Sequence, residues 1–171
     1  DFDLVVNFGQ SVDITHIFQQ DGAYLMEVDI GLANGSVDII PWDQDDVRIE
    51  CAAKVYRVEN PEEARRKLLE EAVFVIEGQK LRFLSQQKWM KLDVTVYIPR
   101  NDYERAKIRL FNGSISAKNL TVENIKAKTA NGKVNVDNLF SKKLETETAN
   151  GPIRVTGSRI LELEAETLNG H

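Results

Sequence analysis

Residues 112–168 read NGSISAKNLTVENIKAKTA (112–130), NGKVNVDNLFSKKLETETA (131–149) and NGPIRVTGSRILELEAETL (150–168), three lines that decide the fold. Each opens on an Asn-Gly pair, at Asn112-Gly113, Asn131-Gly132 and Asn150-Gly151, and Asn169-Gly170 follows at the same interval of 19 residues. The columns agree in chemistry as well as in the dipeptide. Ile115, Val134 and Ile153 share one column, with Ala117, Val136 and Val155 two positions on. Further along, Ile125, Leu144 and Leu163 align, then Ala127, Thr146 and Ala165, then Thr129, Thr148 and Thr167. Charged or polar residues separate these columns. Strict alternation of this kind marks strands with one face inward and one in water, two short strands to a unit.

Asn-Gly is also the favoured two-residue hairpin turn, so a meander is the competing reading. Hairpins, however, place no demand on the residue class found at one column every 19 positions. Coiling does, because each unit lies about 4.8 Å above the last and like side chains stack. Asn tolerates the left-handed backbone region and Gly enters it freely, so each pair suits a corner that every coil repeats. The expected fold is therefore all-β, a single-stranded β-solenoid of 19-residue coils. Its structural corners fall at Asn34, Gly35, Asn112, Gly113, Asn131, Gly132, Asn150, Gly151, Asn169 and Gly170.

The outward charges support that register. Stacking sets Lys126 over Glu145, Lys128 over Glu147 and Glu123 beside Lys142. Cross-strand pairs of opposite charge contribute about 0.2–1 kcal/mol each, enough to tune register but not to hold a fold. One step later Glu145 meets Glu164 and Glu147 meets Glu166. The stripe Glu145, Glu147, Glu162, Glu164 and Glu166 is thus a candidate interaction surface for a basic partner, with plain solubility as its alternative. Phe140 interrupts a column holding Thr121 and Arg159 and joins that candidate surface. The sequence stops at Asn169-Gly170-His171, the first corner of a fresh unit. Either the repeat continues beyond residue 171, or an open last coil pairs with another chain.

The first hundred residues are β-rich but less regular. Ala33-Asn34-Gly35-Ser36-Val37-Asp38-Ile39 copies the repeat start, with Ser36 and Val37 answering Ser114 and Ile115. The expected organisation is an N-terminal β segment over 1–30 and a solenoid over 31–171, interrupted by a helical insertion at about 60–76. In that insertion Asn60 is a good N-cap, Pro61 suits the first helical position and Glu63 completes a loose capping arrangement. Ala64, Leu68, Leu69 and Ala72 form an apolar stripe, and Glu62–Arg66 and Glu63–Lys67 are spaced to pair. Such a helix is expected to cover an open end or flank of the β-structure and hide an edge, with docking of a partner as its alternative.

Composition narrows the function classes. With 27 acidic and 22 basic residues the formal charge is −5, and no basic block gives the footprint of a nucleic-acid binder. No apolar run reaches the roughly 20 residues of a membrane-spanning helix. Asp1-Phe2-Asp3-Leu4 has neither the basic start nor the apolar run of a signal peptide. The lone Cys51 excludes an internal disulfide and reads as a small half-buried hydrophobe. His16 and His171 are the only histidines, and no Cys/His spacing suggests zinc. No phosphate loop or nucleophile elbow is present. The acidic turn Pro41-Trp42-Asp43-Gln44-Asp45-Asp46 suits calcium by its carboxylates but lacks the usual loop signature, leaving a solvated turn with Trp42 folded back as the alternative. Trp89 reads either as a stacking platform for a sugar or as a cap over the core. No catalytic, cofactor-binding or metal-binding residue is assigned.

The stretch Ala33-Asn34-Gly35-Ser36-Val37-Asp38-Ile39, with Trp42 and Val47-Arg48-Ile49-Glu50, resembles the opening of the bacterial "putative adhesin" family, a DUF4097-like domain of unknown function built from β-strand repeats. Thr148-Ala149-Asn150-Gly151 and Leu168-Asn169-Gly170 resemble its recurring Asn-Gly units, so the likeness covers roughly residues 24–171. It implies a β-solenoid in an envelope-associated or extracellular setting, with a cytoplasmic one left open, and it carries no catalytic residues. The expected function is a non-enzymatic binding or scaffolding module linked to the bacterial cell envelope or its stress response. A protein or an envelope glycan is its expected ligand. The alternatives are a carbohydrate-active enzyme on the same coil and a spacer that self-associates through its open last coil.

Overall fold

The computed structural model describes residues 10–169. Part of the segment expected over 1–30, namely residues 1–9, and the corner residue Gly170 with His171 lie outside the described residues. The chain is mostly β, with one short helix. In order come β1 (Ser11–Asp21), β2 (Glu27–Trp42), β3 (Asp46–Tyr56), α1 (Pro61–Glu71), β4 (Val73–Glu77), β5 (Lys80–Ser85) and β6 (Met90–Pro99). The repeats supply β7 (Asp102–Asn112), β8 (Ile115–Lys118), β9 (Thr121–Asn131), β10 (Val134–Asp137), β11 (Phe140–Asn150), β12 (Ile153–Thr156) and β13 (Arg159–Thr167).

Each repeat folds as a short strand followed by a long one, and successive units pair in parallel. The short strands β8, β10 and β12 set Val134 opposite both Ile115 and Ile153, and Val136 opposite Ala117 and Val155. The long strands β7, β9, β11 and β13 set Leu144 opposite Ile125 and Leu163, and Thr148 opposite Thr129 and Thr167. The aliphatic columns of the sequence are therefore real columns in space. The inward side chains of both ladders share one core, in which Ile115, Val134, Ile125 and Leu144 are fully buried. Each such side chain contributes about 1.5–3 kcal/mol through removal from water. Cover thins toward the last unit, where Ile153 and Val155 are partly buried and Leu163 is 50% exposed.

The N-terminal half departs from pure parallel stacking. β2 is shared: Glu27–Leu32 pairs with β5 and β7, whereas Gly35–Trp42 pairs with β6, and Val37–Ile39 with β8. Asn34-Gly35 thus turns the backbone from one ladder into the other without breaking the strand, which runs on to Trp42. Beyond it the order is β2, β6, β3, β1, and the β3–β6 and β1–β3 pairings are antiparallel. The tight turn at Ser-poor, acid-rich 43–45 sends β3 back against the direction of β2, so β3 can only pair antiparallel to β6. Alternation looks the same in either direction, which is why the sequence shows strands here but not their sense.

The helix begins as its capping residues require. Asn60 Oδ1 accepts from the Glu63 N–H at 2.8 Å, and the Glu63 carboxylate accepts from the Glu59 N–H at 3.2 Å. Ala64 and Leu68 are buried, whereas Leu69, expected in the same stripe, is 47% exposed. The expected pairs Glu62–Arg66 and Glu63–Lys67 give way to Arg66–Glu70 at 3.4 Å. Glu63 is engaged at the cap and Lys67 sits over the Trp89 ring, 5.1 Å from its centroid. α1 packs mainly on β1, where the Arg65 guanidinium donates to the Thr15 carbonyl at 3.0 Å.

Candidate functional site

The corners are the most exacting local structures. Gly113 has φ +140°, and a β-carbon there would run into the carbonyl of Gly35 one level below. Gly132 meets the Gly113 carbonyl in the same way. Only glycine allows both the backbone angle and the close stack. The side chains beside these glycines tie the levels together. Asn131 Nδ2 donates to Asn112 Oδ1 at 2.8 Å, Asn150 to Asn131 at 2.7 Å and Asn169 to Asn150 at 3.0 Å. The hydroxyls of Thr129, Thr148 and Thr167 donate to the carbonyls of Gly113, Gly132 and Gly151 at 2.8, 2.8 and 3.0 Å. Each Thr, buried at 129 and 148 and partly exposed at 167, thereby closes the corner begun earlier in its own unit.

A second corner was missed in the sequence. Asn119 and Asn138 adopt φ of 60° and 54°, and Gly157 takes the same place at 57°. Asn138 Nδ2 donates to Asn119 Oδ1 at 2.8 Å. The signal was a column of Asn, Asn and Gly, the residues that enter the left-handed region most readily.

The outer face of the long-strand sheet is a grid. Across β7, β9, β11 and β13 one column holds Arg105, Asn124, Lys143 and Glu162. The next holds Lys107, Lys126, Glu145 and Glu164, and the third Arg109, Lys128, Glu147 and Glu166. The expected contacts form: Lys126–Glu145 at 3.9 Å, Lys128–Glu147 at 3.5 Å and Lys142–Glu123 at 3.8 Å. Lys128 also reaches Glu145 at 3.1 Å. That hydrogen bond holds the Glu145 carboxyl below the usual carboxylate range and raises the Lys128 ammonium. Lys143, which carried no expectation, reaches straight across to Glu162 at 3.8 Å and diagonally to Glu164 at 3.5 Å. Their charges raise its pKa, Glu162 most. The acidic stripe is therefore partly compensated from within. On the other flank Arg105 pairs with Glu27 at 3.9 Å and Arg109 with Asp29 at 3.3 Å, while Lys107 has no ion pair among the described residues.

The remaining candidates lie apart from this grid. Phe140 is 42% exposed at the start of β11, between Thr121 and Arg159. Trp89 packs against the core and donates to Gln87 at 3.1 Å beneath Lys67. In the acidic turn Asp43 binds Arg100 at 2.6 Å and Asp46 accepts from Gln19 at 3.0 Å. Trp42 stacks on Tyr97 at 5.1 Å and donates to the Asp46 carbonyl. No group of three metal-ligating side chains converges among the described residues. Cys51 is buried, and burial, with Asp93 nearby, pushes its thiol up to about 12. His16 lies beside the Arg65 guanidinium, whose Nη1 is 3.0 Å from its Nδ1; burial first and that charge second lower its pKa. The opposite sheet carries a shallow cleft of about 590 Å³ lined by Thr15, Ser36, Asp38, Glu50, Asp93 and Thr95. In it Ser36 donates to Asp93 at 2.8 Å, and Asp38 Oδ1 takes no hydrogen bond among the described residues.

The family model described as Toastrack DUF4097 matches residues 25–171. The chain is 41% identical over 121 residues to the "Uncharacterized protein YvlB" of Bacillus subtilis (strain 168). That alignment covers 71% of this chain and 33% of the relative, so the chain spans about a third of the relative's length. Among solved structures it is similar to a "putative cell adhesion protein" from Clostridium sporogenes ATCC 15579, at 9% identity and a TM-score of 0.47, over 94% of this chain and 99% of that one. A "putative adhesin" from Parabacteroides distasonis ATCC 8503 is similar at 12% identity and a TM-score of 0.47, over 90% of this chain and 70% of that one.

Proposed function

We propose that this chain, which belongs to the Toastrack DUF4097 family, is a non-enzymatic binding or bracing module whose two parallel ladders are the walls of a β-solenoid set at the cell envelope. One observation carries the reading: the outward side chains are ordered by strand into opposite-charge pairs spanning successive levels. Catalysis by acid and base needs groups that converge on one point with their pKa values pushed apart. Here the charges are spread across the outer face of β7, β9, β11 and β13, which suits contact with an extended partner. The corners lock each level to the next through Asn and Thr hydrogen bonds, so that face is rigid and little ordering is needed on binding. A glycan array run beside a turnover assay on envelope polysaccharides tests this. Retention of a ligand without product is expected, and measurable cleavage would end the reading.

A second reading has its own observation. The inward-pointing Leu163 on the edge strand β13 is half exposed, as are Ile153 and Val155 in part, so a further strand laid along that edge would bury them. A self-assembling spacer would then grow with concentration into species longer than two copies, which sedimentation across a dilution series detects.

A further inference from the structure

The grid on the long-strand sheet places like charges side by side, twice. Lys107 lies opposite Lys126 and Arg109 opposite Lys128, while Glu145 lies opposite Glu164 and Glu147 opposite Glu166. Like charges on directly opposed positions are destabilising. The basic seam runs between β7 and β9 and the acidic seam between β11 and β13, so the pattern changes sign at the β9–β11 boundary. One further column reverses the order. Asp102, Thr121, Phe140 and Arg159 lie across the same four strands, acidic on β7 and basic on β13. Asp102 and Arg159 are both exposed, and neither has an ion pair among the described residues.

We propose that two copies of this chain associate face to face through the outer surface of β7, β9, β11 and β13, about a two-fold axis parallel to the strands and lying between β9 and β11. Such an axis sets β9 against β11 of the second copy and β7 against β13, each residue meeting the same column. Lys107 then meets Glu164, Arg109 meets Glu166, Lys126 meets Glu145, Lys128 meets Glu147 and Arg105 meets Glu162. The reversed column also matches, because Asp102 meets Arg159 while Phe140 covers Thr121. Both repulsive seams are thereby laid on their opposites, and the contact closes at two copies instead of growing. The matched part of the sheet, β7, β9, β11 and β13, is four strands across at about 4.8 Å per strand, which sets the contact at the small, weak end of protein interfaces. Charge pairs dominate it, so salt weakens it. The second copy would cover the same face as the ligand proposed above, so the two compete for it; sedimentation reads the dimer and the glycan array reads the ligand, so the two outcomes are distinguishable.

Sedimentation velocity of the full chain at about 20 mM and about 500 mM ionic strength is the test, with far-UV circular dichroism to confirm folding. Dimers that stop at two copies are expected at low salt, shifting to monomer at high salt. Asp102→Lys alone and Arg159→Glu alone should each weaken dimerisation severalfold, because each sets like charges against each other. The double variant Asp102→Lys/Arg159→Glu should recover to within about twofold of the parent, since the pair is restored with its signs exchanged. Lys107→Glu, Glu164→Lys and their combination should repeat the pattern. A parent that stays monomeric at low salt, open-ended polymers, or a double variant no better than its singles would overturn the proposal.

Discussion

At Gly113 the backbone allows no side chain at all, and the neighbouring Thr column shows a milder form of the same constraint. Gly113→Ala must either abandon φ +140° or push the Gly35 carbonyl out of the stack. Strain of this kind costs about 1–3 kcal/mol before any clash is counted, so a loss beyond about 3 kcal/mol is expected in urea unfolding. Thr148→Val keeps the shape but removes the donor to the Gly132 carbonyl, and a loss of about 1–3 kcal/mol follows if that acceptor stays buried and unpaired. The two variants should therefore rank in that order; an equal or smaller loss for Gly113→Ala would mean that the corners relax freely. These residues were half legible in the sequence. Recurrence of Asn-Gly announced a corner because stacking forces one solution at every level. The Thr hydroxyls were read only as members of an inward column, since nothing in spacing shows that a buried hydroxyl will find a carbonyl. Asn119 and Asn138 were passed over because their column ends in Gly157 and lacks a constant dipeptide.

Among the elements, α1 is attached beside a titratable imidazole. Arg65 holds it to β1 through the Thr15 carbonyl and beside His16, whose folded pKa lies below its ordinary value of 6.5. The unfolded chain therefore binds a proton more readily than the folded one in the window below pH 6.5. Stability contributed by neutral His16 is present above that pH and declines as pH falls through it toward the folded pKa. Unfolding midpoints measured from pH 7.5 down to 5 should fall, and His16→Gln should flatten that part of the slope; an unchanged slope would remove His16 from the account. The helix itself was legible from Asn60, Pro61 and Glu63, because capping is local chemistry. Its outward partners were not: Glu63 was drawn into the cap and Lys67 onto Trp89, and both choices depend on what lies across from them. The sense of β3 and β6 was likewise hidden, since period-two alternation carries no direction.

For the whole molecule, burial declines along the axis of stacking. Ile125 and Leu144 are sealed, whereas Leu163 at the equivalent level of β13 is half exposed. Amide exchange should follow that gradient, slowest in β9, intermediate in β11 and fastest in β13. Uniform protection across the three would show that the last level is covered in solution. The ion pairs that join β9, β11 and β13 on the outer face span exposures from 22% to 69%, so each is screened and individually small. Lys126→Ala should accordingly shift stability by less than about 1 kcal/mol, read from the urea midpoint. What the sequence left unseen at this scale was the diagonal reach of Lys143, which lies outside any column-by-column comparison.

The corner chemistry has one more consequence. Asn131 is linked to Asn112 beneath it and Asn150 above it by the same bond, so every level offers its successor the surface it received from its predecessor. Such a chain behaves like a tally that can gain or drop a whole mark: duplication or loss of one unit alters its height while both junctions stay familiar. Substitutions within a unit have no such freedom, because a misfit at one level is handed on to the next.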